Sequence, residues 1–506
     1  MGNCGKRFNS NSILRMILVG VSLLFQVGWM LLLILKLNEY SVWISLMTSI
    51  LSVLVVLRLY SRRTTASMKM PWIMLILAFP VMGLSLYLMI VIFGDPGKRG
   101  KRLQTVRKRL DAFLPQQEIP KGMESAIANQ HRYLLHHTGS PLYRNTEVAY
   151  FAEATDAFGA LKADLEKAER FIFMEYFIVS HGSAFQEIRE ILERKVRQGV
   201  DVRLMYDDVG SIGNANFRFA MELNQAGIRC KVFNPALPVL NLFMNHRDHR
   251  KITVIDGKVG YTGGYNLSDE YFDRTRPYGK WKDTGLRLEG EAVQSLTVAF
   301  LEMWQATEEE AAPFLNVRHS LPLAKGNVQP YRDDPMGSER TAENVYLNMV
   351  GSACNYVWFI TPYLIITDEM ERALGLAAKR GVDVRIVTPG IPDKKMVYAV
   401  TRSYYGGLAS QGVRIFEYTP GFCHAKQCLC DGKIASVGTS NLDYRSLYLH
   451  YENNVLFSDC PAVKQVEEDF RNLFPQCREV TQDYRNRRKA ILKIWQCILR
   501  LFAPMM

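Results

Sequence analysis

Two histidine–lysine pairs carry the chemistry that this chain can do. His249-x-Lys251-x4-Asp256-x6-Gly263-x2-Asn266 returns 175 residues later as His424-x-Lys426-x4-Asp431-x6-Gly438-x2-Asn441, identical at every fixed position. Residues two apart on an extended strand project to one face, so each imidazole is expected to share a face with its ammonium. If the two sets meet, one pocket collects two imidazoles, two ammoniums and two carboxamides, which suits an anion. A phosphodiester fits that set best. One histidine attacks phosphorus and forms a phosphohistidine; the other protonates the leaving alkoxide and then deprotonates the incoming alcohol. An unperturbed imidazole pKa of about 6.5 suits that division at neutral pH. Lys251, Lys426, Asn266 and Asn441 would hold the non-bridging oxygens as charge develops. At an effective dielectric of about 20, an ammonium about 4 Å from a unit charge contributes about 4 kcal/mol, so two lysines can stand in for a divalent metal, and no cofactor is expected.

An imidazole is a better nucleophile when its far nitrogen is hydrogen-bonded to a carboxylate. Asp283, in Trp281-Lys-Asp-Thr284, and Glu452, in His450-Tyr-Glu-Asn-Asn454, lie 34 and 28 residues after His249 and His424 and are the candidates for orienting them. Asp256 and Asp431 complete the two constellations as candidate catalytic carboxylates. Each also precedes a glycine, as in a hairpin turn, where capping that turn is the alternative role.

These residues need a scaffold that brings two distant segments together. Between about 146 and 480 the chain alternates β-branched runs with helical ones, the pattern of an α/β domain. The spans 170–179 and 200–206 read as strands flanking a helix over 184–198; 356–361 and 382–388 repeat the phrase around a helix over 368–380. Gly199-Val-Asp-Val-Arg203 reappears as Gly381-Val-Asp-Val-Arg385, and Ala226-Gly-Ile-Arg229 is echoed by Gln411-Gly-Val-Arg414. We read two homologous α/β domains, 146–315 and 341–482, whose motifs meet across a pseudo-twofold interface. A Pro- and Gly-bearing linker over 316–340 joins them.

Charge separates this body from the ends. The chain is 506 residues with a net charge of +12, but residues 1–110 hold +13, residues 485–506 hold +6, and the middle is left with −7. An acidic body argues against a nuclease, whose site should be ringed by basic and aromatic surface. Three runs without a charged residue, 16–35, 40–57 and 70–94, are each near the roughly 20 residues that cross a bilayer. They predict N-terminal transmembrane helices: an extra first helix over 1–38 and a hairpin over 39–95, followed by a basic linker over 96–145. Lysines and arginines divide almost evenly between the two sides, so orientation stays open. Pro80 allows the third run to kink or re-enter, which would put both basic clusters on one face. At the other end, residues 483–506 interleave Arg487, Arg488, Lys489, Lys493 and Arg500 with apolar side chains. They read either as a basic amphipathic helix on anionic lipid or as a terminal helix docked on the protein's own core. Nine cysteines carry no clear pairing signal.

The paired motif resembles that of the phospholipase D superfamily. The flanks Asn245-His-Arg-Asp-His-Arg-Lys251, Gly263-Gly-Tyr-Asn266, Tyr418-Thr-Pro-Gly-Phe-Cys-His-Ala-Lys426 and Gly438-Thr-Ser-Asn-Leu-Asp-Tyr-Arg-Ser446 are similar to those of bacterial cardiolipin synthases. The resemblance implies two phospholipase D-like domains sharing one active site. It also implies a bacterial plasma-membrane enzyme that joins two phosphatidylglycerols into cardiolipin and glycerol without metal. His249 and His424 would be nucleophile and acid/base, with superfamily habit favouring His249 as nucleophile. Expected partners are phosphatidylglycerol, cardiolipin and membrane lipids, not nucleic acid. A hydrolytic phospholipase D, another phosphodiesterase, a transferase with a different acceptor lipid, and a lipid-binding scaffold are the alternatives. Asp248 stands where the family usually has asparagine, and Gly264 and Thr439 where the superfamily often has serine.

Overall fold

The computed structural model describes residues 42–62, 64–94, 97–115, 118–215, 217–235, 245–315, 317, 326–486, 499–501 and 503, with isolated positions between 20 and 36. The first half supplies β1 (Thr146–Phe151), β2 (Phe171–Tyr176), β3 (Asp201–Asp207), β4 (Arg229–Phe233), β5 (Arg247–Asp248), β6 (Lys251–Ile255), β7 (Val259–Gly263), β8 (Lys280–Lys282) and β9 (Gly285–Gly290). Seven of them form a sheet in the order β1-β9-β7-β6-β2-β3-β4. The central strands are buried along their whole length, as fits a sheet covered on both faces. The helix Ser183–Arg197 makes the crossover that keeps β2 and β3 parallel.

The second half repeats the plan. It contributes β10 (Asn327–Asp333), β11 (Tyr356–Ile360), β12 (Leu364–Ile365), β13 (Asp383–Pro389), β14 (Arg414–Tyr418), β15 (Gly421–Cys423), β16 (Gln427–Cys430), β17 (Ile434–Gly438), β18 (Leu442–Asp443), β19 (His450–Ser458) and β20 (Cys477–Glu479). The order β10-β19-β17-β16-β11-β13-β14 matches the first sheet strand for strand, with β20 added at the edge. The duplication expected from the sequence echoes is therefore a duplication of topology. A single apolar cluster draws Phe173, Val254 and Leu286 from the first half and Leu429, Val437 and Val455 from the second, so the halves share a core.

Two short strands leave their own sheets and cross over. Strand β5 pairs in parallel with β19, Arg247 opposite His450 and Asp248 opposite Tyr451. Strand β15 pairs in parallel with β8, Gly421 opposite Lys280 and Cys423 opposite Lys282. Each half thus lends the segment just before its motif histidine to the other half.

Two expected linkers turn out to belong to the folded body. Residues 327–333, assigned by sequence to the inter-domain linker, form β10 and pair with β19 along its length, every residue of the strand being buried despite its polar composition. The basic segment over 96–145 carries the helix Ser125–Thr138, whose Ile127 and Leu134 enter the second half's core. Its His131 is buried between Gln329 and Ser458.

The hydrophobic N-terminal region forms α1 (Val42–Ser61), α2 (Ala66–Ala78) and α3 (Pro80–Gly94). The third uncharged run is broken at Phe79 (φ −135°, ψ 76°), immediately before Pro80. The ring of Trp72 meets that of Tyr87 edge to face at 5.7 Å, so α2 and α3 fold back on each other. Gly83 makes the turn possible: a Cβ there would stand 2.6 Å from the Leu75 carbonyl oxygen. Ser52, midway along α1, reaches the Pro80 carbonyl at the tip. Among the described residues no helix is long and apolar enough to cross a membrane. Half of the first run, 16–35, lies outside the described residues, as does most of 483–506. Of that end, Leu499 and Ala503 enter the second half's core and Arg500 donates to Ser403, so these residues dock on the protein itself.

The folded-back arrangement has a direct test. In an uninterrupted helix residues 72 and 87 would stand about 22 Å apart, at about 1.5 Å per residue. Trp72→Cys combined with Tyr87→Cys should therefore form an intramolecular disulfide on mild oxidation, read by peptide mass spectrometry; a straight third helix would leave that pair unlinked.

Candidate active site

The two motif histidines sit in the gaps between crossing strands and sheet strands, so they do not lie on continuous strands as their spacing suggested. His249 follows β5 and His424 follows β15, while Lys251 opens β6 and Lys426 immediately precedes β16. Register then places each imidazole. The His249 amide donates to the Tyr451 carbonyl at 3.0 Å and the His424 amide to the Lys282 carbonyl at 2.7 Å. The next residue along each partner segment is a carboxylate. His249 Nδ1 lies 2.9 and 3.0 Å from the Glu452 oxygens, and His424 Nδ1 lies 2.7 Å from Asp283 Oδ2. The candidates expected to orient the histidines do contact them, but crossed, each serving the other half's imidazole.

Both carboxylates are fully buried and held by further donors. Glu452 accepts from the hydroxyls of Thr439 and Ser446, and Asp283 from the Thr284 amide at 2.9 Å. The residue preceding Tyr265 must be glycine, because a Cβ on Gly264 would fall 2.0 Å from Asp283 Oδ1. At the matching position of the second half, Thr439 uses its hydroxyl instead. These two departures from the familiar serine are thus two ways of fitting a carboxylate beside the turn.

With Nδ1 taken by a carboxylate, Nε2 is the nitrogen left to each histidine for chemistry. Lys251 Nζ donates to the His249 carbonyl at 2.5 Å, and Lys426 Nζ lies 2.7 and 3.0 Å from the ring nitrogens of His424. Aromatic walls exclude water: Phe177 packs edge-on to His249, while Tyr271, Trp281 and Phe422 surround His424. Asn266 is anchored by the Ile178 amide and the Tyr271 hydroxyl, and Asn441 keeps a buried Oδ1 with no partner among the described residues.

The electrostatics describe a pocket short of negative charge. Burial and then Lys426 push His424 down to about 3, in spite of Asp283. Burial and then Lys251 hold His249 well below the usual imidazole range. Burial likewise lowers Lys251 to about 7 and Lys426 to about 8. Glu452 is lifted to about 8 by burial, against the pull of Lys251, whereas Asp283 is held below the usual range by Lys426 and His424 despite its burial. An anionic ligand between the lysines would oppose the downward displacements of the histidines and lysines and favour an imidazolium beside Asp283. His249, His450 and Glu452 also bring ligand atoms within 4.8 Å of one another, a set that could hold a metal ion.

The motif aspartates stand elsewhere. Asp256 accepts from the amides of Glu169, Arg170 and Phe171, and Asp431 from those of Cys354, Asn355 and Tyr356. Asp256 lies the length of β6, about 16 Å, beyond Lys251. Each adopts a positive φ, 54° and 51°, and pins the start of β2 or β11. This corrects their reading as catalytic carboxylates: three backbone amides hold each one at the far end of its motif strand. Asp248 also turns away from His249, accepting from Arg250, which is buried against Glu175. Sequence reasoning passed over Thr439, Ser446 and Phe177 as site residues, along with the aromatic wall of His424. Only the Ser and Thr flanking Asn441 offered a signal.

Two outcomes follow. Asp256→Ala and Asp431→Ala should each lower unfolding stability by about 1–3 kcal/mol, the cost of stranding buried amides, with turnover per folded molecule little changed; turnover lost as completely as in His249→Ala would restore their catalytic reading. Asp283→Asn should move the 15N resonances of His424 while leaving those of His249 in place, and Glu452→Gln should do the reverse. Uncrossed pairing would exchange those responses.

Residues 161–304 and 346–474 match the family described as "Cardiolipin synthase, PLD-like domain", and residues 49–90 match a phospholipase D-nuclease N-terminal region. The chain is 41% identical over 444 residues to an uncharacterised protein of Streptococcus mutans, covering 86% of this chain and 96% of that one. It is 36% identical over 452 residues to cardiolipin synthase 2 of Bacillus cereus, covering 87% of each chain. Among solved structures, phosphatidylserine synthase of Haemophilus influenzae matches with a TM-score of 0.56 at 15% identity, covering 74% of this chain and 98% of that one, which is a likeness of fold. Two motif-bearing halves, one shared pocket and these matches agree: the chain belongs to the phospholipase D-like cardiolipin synthase family.

Proposed function

We propose that the protein is a phosphatidyltransferase that makes cardiolipin and glycerol from two phosphatidylglycerol molecules. The observation that carries this reading is a single buried pocket holding two histidines, each with Nδ1 on a carboxylate, beside two lysines. Nε2 of one histidine, His249 by superfamily habit, attacks the phosphorus of the first lipid. The P–O bond to the headgroup glycerol breaks, and the second histidine, as imidazolium, protonates the departing alkoxide. The primary hydroxyl of a second headgroup then gives its proton to that same histidine and attacks phosphorus. The P–N bond breaks, which releases cardiolipin and restores the first imidazole. Lys251, Lys426, Asn266 and Asn441 face the developing charge on the non-bridging oxygens. The substrate's own negative charge supplies what the empty pocket lacks, so the acid histidine gains its proton as substrate enters.

The same reading puts the protein on the bacterial plasma membrane. Leu46, Met47, Ile50, Leu54 and Leu57 of α1, with Met70, Met74 and Leu77 of α2 and Phe79 at the tip, are exposed apolar side chains. A lipid interior accounts for them. The 13 and 15 residues of α2 and α3 suit a re-entrant hairpin, which returns the chain to its starting face. The basic residues before and after it then lie together at one surface, and any spanning segment falls to the first two runs. The hairpin foot meets the catalytic body where Met68 packs into the second half's core.

Purified full-length protein incubated with phosphatidylglycerol alone in excess EDTA should yield cardiolipin and glycerol by mass spectrometry, and neither His249→Ala nor His424→Ala should do so. Phosphatidic acid as the product would mean hydrolysis, and turnover only after a second lipid is added would mean a different acceptor.

A further inference from the structure

A transfer between two phosphatidylglycerols brings two phosphates to the site, and the motif histidines and lysines account for one of them. The acceptor lipid keeps its own phosphodiester, joined to the attacking hydroxyl by a three-carbon bridge. That second anion must also be taken from water close to the reacting centre.

Arg445 and His450 are the groups left over. His450 opens β19 two residues before Glu452, so both side chains rise from the same face of that strand. Its ring lies 5.5 Å from that of His249 and 6.4 Å from that of Phe177. It is 9% exposed, and neither ring nitrogen has a hydrogen-bond partner among the described residues. His131, which is more fully enclosed, has both nitrogens engaged. His450 Nδ1 stands 3.8 Å from Glu452 Oε1, too far for a hydrogen bond, and a buried imidazole with neither nitrogen hydrogen-bonded is costly unless a ligand completes it. Arg445 lies five residues earlier, on the short helix Tyr444–Tyr448 that follows Asn441 and Asp443. Burial outweighs Asp443 and holds its guanidinium below the ordinary arginine range. Among the described residues no side chain or carbonyl is hydrogen-bonded to that guanidinium. Nearby Arg247, in contrast, is spent on Asp207 and the Asn234 carbonyl. Arg445 is also the strongest charged influence on His450, ahead of Lys251. A fork of guanidinium donors beside a neutral imidazole donor is a recognition set for phosphate oxygens.

We propose that Arg445 and His450 form the subsite that binds the non-reacting phosphodiester of the acceptor lipid. The subsite rests on the transferase reading, and it divides the reaction in a measurable way. Attack by a second phosphatidylglycerol uses it; attack by free glycerol, which regenerates phosphatidylglycerol, has no phosphate to place there.

The experiment follows isotope-labelled glycerol exchange into phosphatidylglycerol and cardiolipin formation in the same full-length preparation. In Arg445→Gln and His450→Gln, the ratio of cardiolipin formation to glycerol exchange should fall about tenfold or more, the loss expected from one charge-assisted phosphate contact. Arg445→Lys should recover part of that ratio. Unmodified protein gives an independent reading: glycerophosphoglycerol should outcompete glycerol as a soluble acceptor at equal concentration. An unchanged ratio in both glutamine variants, or equal use of the two soluble acceptors, would overturn the subsite. Absence of both exchange and cardiolipin from the unmodified protein would instead sink the transferase reading itself.

Discussion

The parallel pairing of β5 with β19, and of β15 with β8, is the constraint on which the site depends. Each is only two or three residues long, yet each carries a motif histidine at its end and delivers it to a carboxylate on the other half. Side chains in strands are placed by register, so a slip of one residue would turn the imidazole away from its partner. The shared core beneath holds that register: residues from both sheets pack into one cluster, and the halves cannot move apart without exposing it. Burial comes with the same arrangement. Both carboxylates are completely enclosed because each lies at the seam between halves.

Enclosure also explains the unusual protonation balance. Four cationic or potentially cationic side chains share two carboxylates, in a place where water cannot compensate. Histidines and lysines are therefore all displaced toward their neutral forms. A pocket in that condition is complementary to a dispersed negative charge, and preorganised donors in such a setting do not have to be reorganised as the transition state forms.

Much of this was legible beforehand, for a physical reason. The duplicated α/β plan and the paired motif show in the sequence because catalysis fixes residue types and the sheet fixes their spacing. Asp283 and Glu452 could be singled out by type, but their crossing could not, since it is set by strand pairing between segments 141 and 203 residues apart. Asp256 and Asp431 share the motif's regularity for a different reason: they are repeated because the turn they pin is repeated. The linker boundaries were misplaced for a related cause. Residues 327–333 contain Pro330 and two charged residues, Arg332 and Asp333, a loop-like composition that tertiary burial overrides by pairing them with β19. The break at Phe79 was foreshadowed by Pro80, but its consequence, two helices lying side by side, depends on the space that Gly83 leaves.

The foot of the α2–α3 hairpin touches the catalytic body beside the segment that carries Asn441, Tyr444 and Arg445, where Met68 packs against the core that holds Tyr444. With the hairpin in a bilayer, the mouth of the pocket is moored at the plane in which both substrates already diffuse. Encounter is then a search over a surface and not through a volume. Turnover would be governed by the mole fraction of phosphatidylglycerol in the leaflet, and because a phosphatidyl-histidine separates the two encounters, diluting the membrane with inert lipid would slow the enzyme in proportion to that fraction while diluting the whole suspension would not.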